Sequence, residues 1–247
     1  METIKFAAID IGSNAIRLLI KNILEDTNTI YFKKSSLIRV PIRLGEDVFN
    51  KQYISKEKEK YLAKSLAAFR NLMTVHNITS YRACATSAMR DAKNGSDIIK
   101  RITQKTGIQI DVITGKEEAL IVFENRIAEM LDAKKKYLYV DVGGGSTEIS
   151  LFERGKCQYS ASFNLGTLRL RDNKVPKNEF IRLKESLLDI CSESDNIEII
   201  GSGGNINRFI KLSSSRKRKK LTYHEFKTFF DELSPLSNEE RMIKYDM

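Results

Sequence analysis

The spacing of apolar and polar positions divides the chain into two series of short elements that follow the same order. Ile4–Ile11 and Ala15–Asn22 read as strands joined by a tight Gly12-Ser13-Asn14 turn, and Thr29–Val40 reads as a third strand. Leu62, Leu66, Phe69 and Leu72 recur at helical spacing behind Ser55, a residue type suited to capping, so a helix is expected from there to about Val75. Tyr81–Thr86 has the composition of a short buried strand, and Asp97–Lys105 that of a helix stopped by Gly107. Ile108–Ile113 reads as another strand. Gly115 then opens a helix whose apolar face carries Leu120, Ile121, Phe123, Ile127 and Leu131.

After Lys134-Lys135-Lys136 the series begins again. Tyr137–Val142, Thr147–Glu153 and Lys156–Phe163 predict three strands with tight turns. Phe180–Cys191 predicts a helix, Ile197–Gly201 a strand, and Ile206–Leu212 and Tyr223–Leu233 two further helices. Asp10 and Asp141 occupy matching places in the two series, the signature of a duplicated α/β unit. Two lobes are expected, residues 1–124 and 125–247, with a site in the cleft between them.

Composition narrows the class without choosing a function. The chain has 247 residues, 41% hydrophobic and 30% charged, in keeping with a globular protein of two domains. No apolar run reaches the roughly 20 residues of a membrane span. The first strand-like segment contains Lys5 and Asp10, which makes it a poor secretory signal. The three cysteines are far apart and suggest neither a disulfide framework nor a zinc site. A cytoplasmic protein without a membrane partner is expected. The net charge of +10 suits a polyanionic ligand, whether polyphosphate, a highly phosphorylated nucleotide or nucleic acid.

The strongest chemical signal is Asp141-Val142-Gly143-Gly144-Gly145-Ser146-Thr147-Glu148. Three glycines weaken a sheet, and a tight hairpin explains one or two of them. The flanking Asp and the Ser-Thr-Glu that follows fit a phosphate and metal clamp instead, in which backbone N–H groups approach an anion. Asp10-Ile11-Gly12-Ser13-Asn14 is its weaker partner, with Arg17 just past the turn. Ala85-Thr86-Ser87-Ala88-Met89-Arg90 runs from a strand end into hydroxyl groups and an arginine, which suits either a helix cap or a phosphate contact. In Gly115-Lys116-Glu117-Glu118-Ala119 two acids sit at a helix start; they complement the helix dipole, or one of them faces the cleft as a base. Gly201-Ser202-Gly203-Gly204-Asn205 is a second glycine-rich strand-to-helix turn without a matching acid, which suits close packing on a nucleotide or on the far end of a phosphate chain, or simply the meeting of strand and helix. The basic run Arg216–Lys220 has the character of a solvated loop.

In this order, these segments resemble the exopolyphosphatase/guanosine pentaphosphate phosphohydrolase family of the actin-like ATPase superfamily. The resemblance implies an α/β fold of two actin-like (ribonuclease H-like) lobes and Mg²⁺-dependent release of a terminal phosphate from polyphosphate or guanosine pentaphosphate. Carried over by position, it makes Glu118 the general base and gives Glu148 a part in placing the water. Asp10 and Asp141 become metal-associated carboxylates. Ser13, Asn14, Arg17, Ser87, Arg90, Gly143, Gly144, Gly145 and Ser146 become phosphate holders. A homodimer fits the resemblance, and nucleic acid is not the expected partner. Because related chains continue for some tens of residues past the stretch at Leu236–Arg241, an unfinished second lobe is expected. An ATP-dependent kinase or ATPase on the same fold, or a non-catalytic binder of polyanions or alarmones, are the alternatives.

Overall fold

The computed structural model describes residues 4–26, 29–126, 132, 135–192, 196–212 and 220–245. Its first half runs β1 (Ile4–Ile11), β2 (Ile16–Asp26), β3 (Thr29–Val40), α1 (Leu44–Lys51), α2 (Lys56–Val75), β4 (Ser80–Ala85), α3 (Ser87–Asp91), α4 (Gly95–Thr106), β5 (Asp111–Val112) and α5 (Gly115–Arg126). The second half runs β6 (Lys136–Val142), β7 (Thr147–Glu153), β8 (Lys156–Phe163), α6 (Thr167–Arg171), α7 (Glu179–Ser192), β9 (Ile197–Gly203), α8 (Gly204–Leu212), α9 (Tyr223–Leu233) and α10 (Asn238–Tyr245).

The two sheets have corresponding topologies. One has the order β3-β2-β1-β4-β5 and the other β8-β7-β6-β9. In each, the first three strands form an antiparallel meander, and a later strand, β4 or β9, lies parallel to the first. The duplication read from the strand pattern is therefore a duplication of fold. It extends to α1 and α6, neither of which the hydrophobic pattern announced. Gly45 and Arg43, at the start of α1, donate backbone N–H groups to Ser13 and Asn14 carbonyls, both at 2.8 Å. Thr167 and Leu168, at the start of α6, do the same to Gly143 and Gly144, at 3.0 and 2.9 Å. Each hairpin turn is thus braced by the helix that follows the third strand of its lobe.

The larger core lies in the first lobe. Ile9 and Ile11 of β1, with Leu18 and Ile20 of β2, pack against Leu62, Leu66 and Phe69 of α2 and Ile98 and Ile102 of α4. Leu62, Leu66 and Phe69 are among the positions whose helical spacing predicted α2, and burial of these apolar side chains is the main stabilising term. Ser55 caps α2, its side chain accepting from Lys58 N–H at 3.3 Å. In the second lobe Leu138, Ile149, Leu151 and Phe163 pack with Leu183, Leu187 and Ile190 of α7. Leu168 of α6 departs from this division, because it is buried in the core of the first lobe.

The strand expected over Ile108–Ile113 shrinks to Asp111–Val112. Ile108 and Gln109 N–H groups bond to the Thr106 and Tyr81 hydroxyls rather than to a strand, so the ladder starts late. The apolar residues that suggested a longer strand, Ile108 and Ile113, are buried at its flanks. Of the expected apolar face of α5, Ile127 and Leu131 lie outside the described residues, as does most of the basic run, Arg216–Lys219. No helix among the described residues is long and apolar enough to cross a membrane.

Candidate active site

The paired Asp-Gly motifs form two turns of the same construction. In one, Gly12 N–H donates to Ala15 O at 3.1 Å; in the other, Gly143 N–H donates to Ser146 O at 2.9 Å. The strand register places Asp10 opposite Arg17, and Asp141 opposite Glu148. The lobes therefore carry different chemistry at one structural position, a cation in the first and an acid in the second. Arg17 donates to Asp10 Oδ2 at 2.6 Å in a half-exposed pair. Glu148 is only 3% exposed, and its Oε1 accepts from Ser162 Oγ at 2.9 Å.

The turns meet across the lobes. Ser13 and Ser87 hydroxyls are 2.8 Å apart and buried. Gly144 and Gly145 lie against them, so closely that a Cβ on Gly145 would sit 2.3 Å from Phe49 Cζ and 2.6 Å from Ser87 Oγ. Only glycine permits this approach. Ser146, the next residue of the turn, is buried, while Asn14 and Arg17 are exposed.

Helix α5 brings in the last acid. Thr114 Oγ1 accepts from Glu117 N–H at 3.1 Å and starts the helix. Gly115 rests on β8, where a Cβ would stand 2.5 Å from Ser162 Cβ. The adjacent acids then part company. Glu117 turns outward and accepts from Arg82 at 2.8 Å. Glu118 is directed inward among Glu148, Asp10, Asp141 and Arg90, and its buried Oε2 has no hydrogen-bond partner among the described residues. Arg90 is steadied by a 2.6 Å bond from its Nη1 to the Ile113 carbonyl.

Burial and crowding of like charge set the protonation of this group. Burial, then the charges of Glu148 and Asp10, push Glu118 up to about 8, against the opposing pull of Arg90. Burial also raises Glu148 and Asp141, although hydrogen bonds from Ser146 and Ser162 to the first, and from Ser202 to the second, act in the other direction. Four carboxylates thus converge on a space with too little positive charge to match them. Among the described residues no three Asp, Glu, His or Cys side chains form a ready cation cage. An oxygen-only donor set of spaced carboxylates, with one unpartnered buried oxygen, fits a hard divalent ion such as Mg²⁺, which is usually held by one or two carboxylates plus water and phosphate.

The structure accordingly gathers Asp10, Glu118, Asp141, Glu148 and Arg90 on one space, with Ser146 bonded to Glu148, and Ser13, Ser87, Gly144 and Gly145 in one contact beside the turns. Sequence reasoning missed Ser162, which bonds to Glu148, and Phe49 and Arg169, which pack at the glycine turn; it singled out the turn that carries Ser202 but not the bond from Ser202 to Asp141. The duplication itself held a signal for Ser202: β9 pairs with β6 as β4 pairs with β1, setting Ser202 beside Asp141 as Cys84 is set beside Asp10.

Known proteins share this fold. The model of the Ppx/GppA phosphatase family matches residues 29–244. The chain is 34% identical over 183 residues to the bifunctional 3-dehydroquinate synthase/phosphatase of Fusobacterium nucleatum, a match covering 72% of this chain and 28% of that protein. It is 32% identical over 186 residues to exopolyphosphatase 2 of Mycobacterium tuberculosis, covering 70% of this chain and 55% of the other. The chain thus spans about half the length, or less, of these curated relatives. The crystal structure of the Aquifex aeolicus member of the Ppx/GppA family superposes with a TM-score of 0.77 at 25% identity, covering 99% of this chain and 83% of that one. An exopolyphosphatase from Cytophaga hutchinsonii has the same fold, with a TM-score of 0.80 at 22% identity over 96% of this chain and 82% of its own. With its duplicated lobes of the actin-like ATPase fold and an acidic cleft between paired Asp-Gly turns, this chain belongs to the Ppx/GppA phosphatase family.

Proposed function

We propose that the cleft hydrolyses the terminal phosphoanhydride bond of a linear phosphate chain, in inorganic polyphosphate or guanosine pentaphosphate, with Mg²⁺ as cofactor. The observation that carries this reading is Glu118, a buried carboxylate with one unpartnered oxygen and a proton affinity raised to about 8, facing the paired turns. Only the ionised form of such a group can take a proton from water; its high proton affinity makes that form a strong base, and neutralisation of the neighbouring acids by bound cations would favour it near neutral pH. The family description and the exopolyphosphatase relative support the same reaction class.

In this reading Glu118 removes a proton from water as the water oxygen bonds to the terminal phosphorus. The bridging P–O bond breaks, and the shortened chain leaves with the electron pair. Glu148, held by Ser162, helps to place the water. Arg17, Arg90, Ser13, Asn14, Ser87 and the Gly143–Ser146 turn hold phosphate oxygens, because a loose phosphoryl transition state needs positioning and charge neutralisation above all. Asp10 and Asp141 are the carboxylates that would hold Mg²⁺, largely through water; once bound, the ion neutralises charge on the phosphates.

The test is phosphate release from polyphosphate and from guanosine pentaphosphate, measured side by side with and without Mg²⁺. Release from at least one, dependent on Mg²⁺, is expected, and the ratio of the two rates assigns the substrate. A folded protein that releases phosphate from neither would exclude the reading.

A further inference from the structure

Three successive carbonyls of the glycine turn are held by three successive residues of α6. Thr167 N–H donates to Gly143 O and Leu168 N–H to Gly144 O, and the third bond, 2.7 Å long, runs from the Arg169 side chain Nε to Gly145 O. In a trans peptide the carbonyl and the N–H that follows it point in opposite directions. Holding these carbonyls on α6 therefore turns the Gly144, Gly145 and Ser146 N–H groups away from it, and no backbone acceptor takes any of the three among the described residues. In the first lobe the corresponding carbonyls, Ser13 and Asn14, are both held by backbone N–H groups.

Arg169 is set apart by the other hydrogen bond and the ring contact of its side chain, which belong to the first lobe. Its Nη2 donates to Asp91, and its guanidinium lies 4.1 Å from the centroid of the Phe49 ring. Phe49 is the residue that fills the space beside Gly145. The arginine side chain is only 12% exposed. A planar guanidinium can serve a carbonyl, a carboxylate and an aromatic face together in one fixed fork, which a lysine ammonium cannot do.

We propose that Arg169 is a positioning residue. By holding the Gly145 carbonyl while bound to Asp91 and Phe49, it aims the Ser146 N–H at the phosphate and makes that aim depend on contact between the lobes. The proposal rests on the phosphohydrolase reading above for its consequence in catalysis, and on the hydrogen bonds alone for its structural part. Arg169 itself does not touch the substrate.

The experiment compares Arg169→Ala, Arg169→Lys and Asp91→Asn with the parent protein. Tripolyphosphate binding is measured in a Glu118→Gln background, and KM and kcat in the otherwise unaltered chain. Both Arg169 variants are expected to weaken binding and raise KM by about ten- to a hundredfold, the worth of one hydrogen bond to a charged group, with a smaller change in kcat. Millimolar guanidinium is expected to restore part of the loss in Arg169→Ala. Adding Asp91→Asn to Arg169→Ala is expected to cost nothing further, because the two residues act through one contact. The Ser146 amide ¹⁵N resonance needs no substrate: it is expected to shift in both Arg169 variants as the preceding carbonyl loses its donor. An unchanged resonance overturns the proposal whatever the protein hydrolyses. Parent-like binding and KM in folded Arg169→Ala or Arg169→Lys, alongside an active parent, overturns it and leaves the hydrolase reading standing. An inactive parent that binds no tripolyphosphate sinks that reading instead, and the resonance then decides the structural part.

Discussion

Glu117 and Glu118 are adjacent and chemically alike, yet the fold gives them different work. Glu117 meets Arg82 at the surface, whereas Glu118 is buried against three other acids. Replacing Glu118 with Gln keeps the shape and removes the proposed base. Turnover is expected to fall by at least about a hundredfold, the usual scale of general-base catalysis, with substrate binding retained; phosphate release and tripolyphosphate titration check the two halves separately. The raised proton affinity also has a stability consequence whose sign follows from linkage. Between the ordinary carboxylate value of 4.5 and about 8, the folded protein keeps a proton on Glu118 that the unfolded chain releases. Stability contributed by this group therefore falls as pH rises through that window, by up to ~1.4 kcal/mol per pH unit. Chemical denaturation at several pH values, without divalent ions, should show Glu118→Gln flattening that slope and gaining most over its parent near pH 8.

At the scale of elements, the clustered acids are held by short, tight contacts between pieces distant in sequence. Helix α5 lies against β8 through Gly115, where a Cβ would come 2.5 Å from Ser162 Cβ. Gly115→Ala should lift the start of α5, moving Glu118 away from Glu148 and parting Ser162 from Glu148. Overpacking of this kind costs about 1–3 kcal/mol, so a lower melting temperature together with a larger loss of kcat than of substrate affinity is expected. What was legible here followed from local chemistry. The strands that carry Asp10 and Asp141, the Ser55-capped helix and the start of α5 at Gly115 all announce themselves through period, cap or glycine. The five-residue α6 has no room for a helical period, so nothing local revealed it. The importance of Ser162, a small polar residue in a strand, comes only from the glutamate that register sets across from it.

At the scale of the molecule, the lobes are joined by more than the chain that connects them. Leu168 belongs to the second lobe by sequence but is buried in the core of the first, within reach of Gly45 and Gly144. Leu168→Ala should therefore loosen the contact between lobes as well as the core. A loss of about 2–5 kcal/mol, typical of a buried leucine cut to alanine, is expected in denaturant unfolding. A rise in KM is expected with it, since the glycine turn loses its support; an unchanged KM would separate the core from the cleft. The sequence alone determined that there are two related α/β units, where their strands turn, and which acids and glycines stand at those turns, because these depend on periodicity and on residues that are neighbours in the chain. Only the tertiary structure decided that Glu118 rather than Glu117 enters the cleft, that Ser13 and Ser87 meet Gly145, and that Arg169 ties the glycine turn to the opposite lobe. Those outcomes depend on burial and on contacts across tens of residues, and no local pattern carries them.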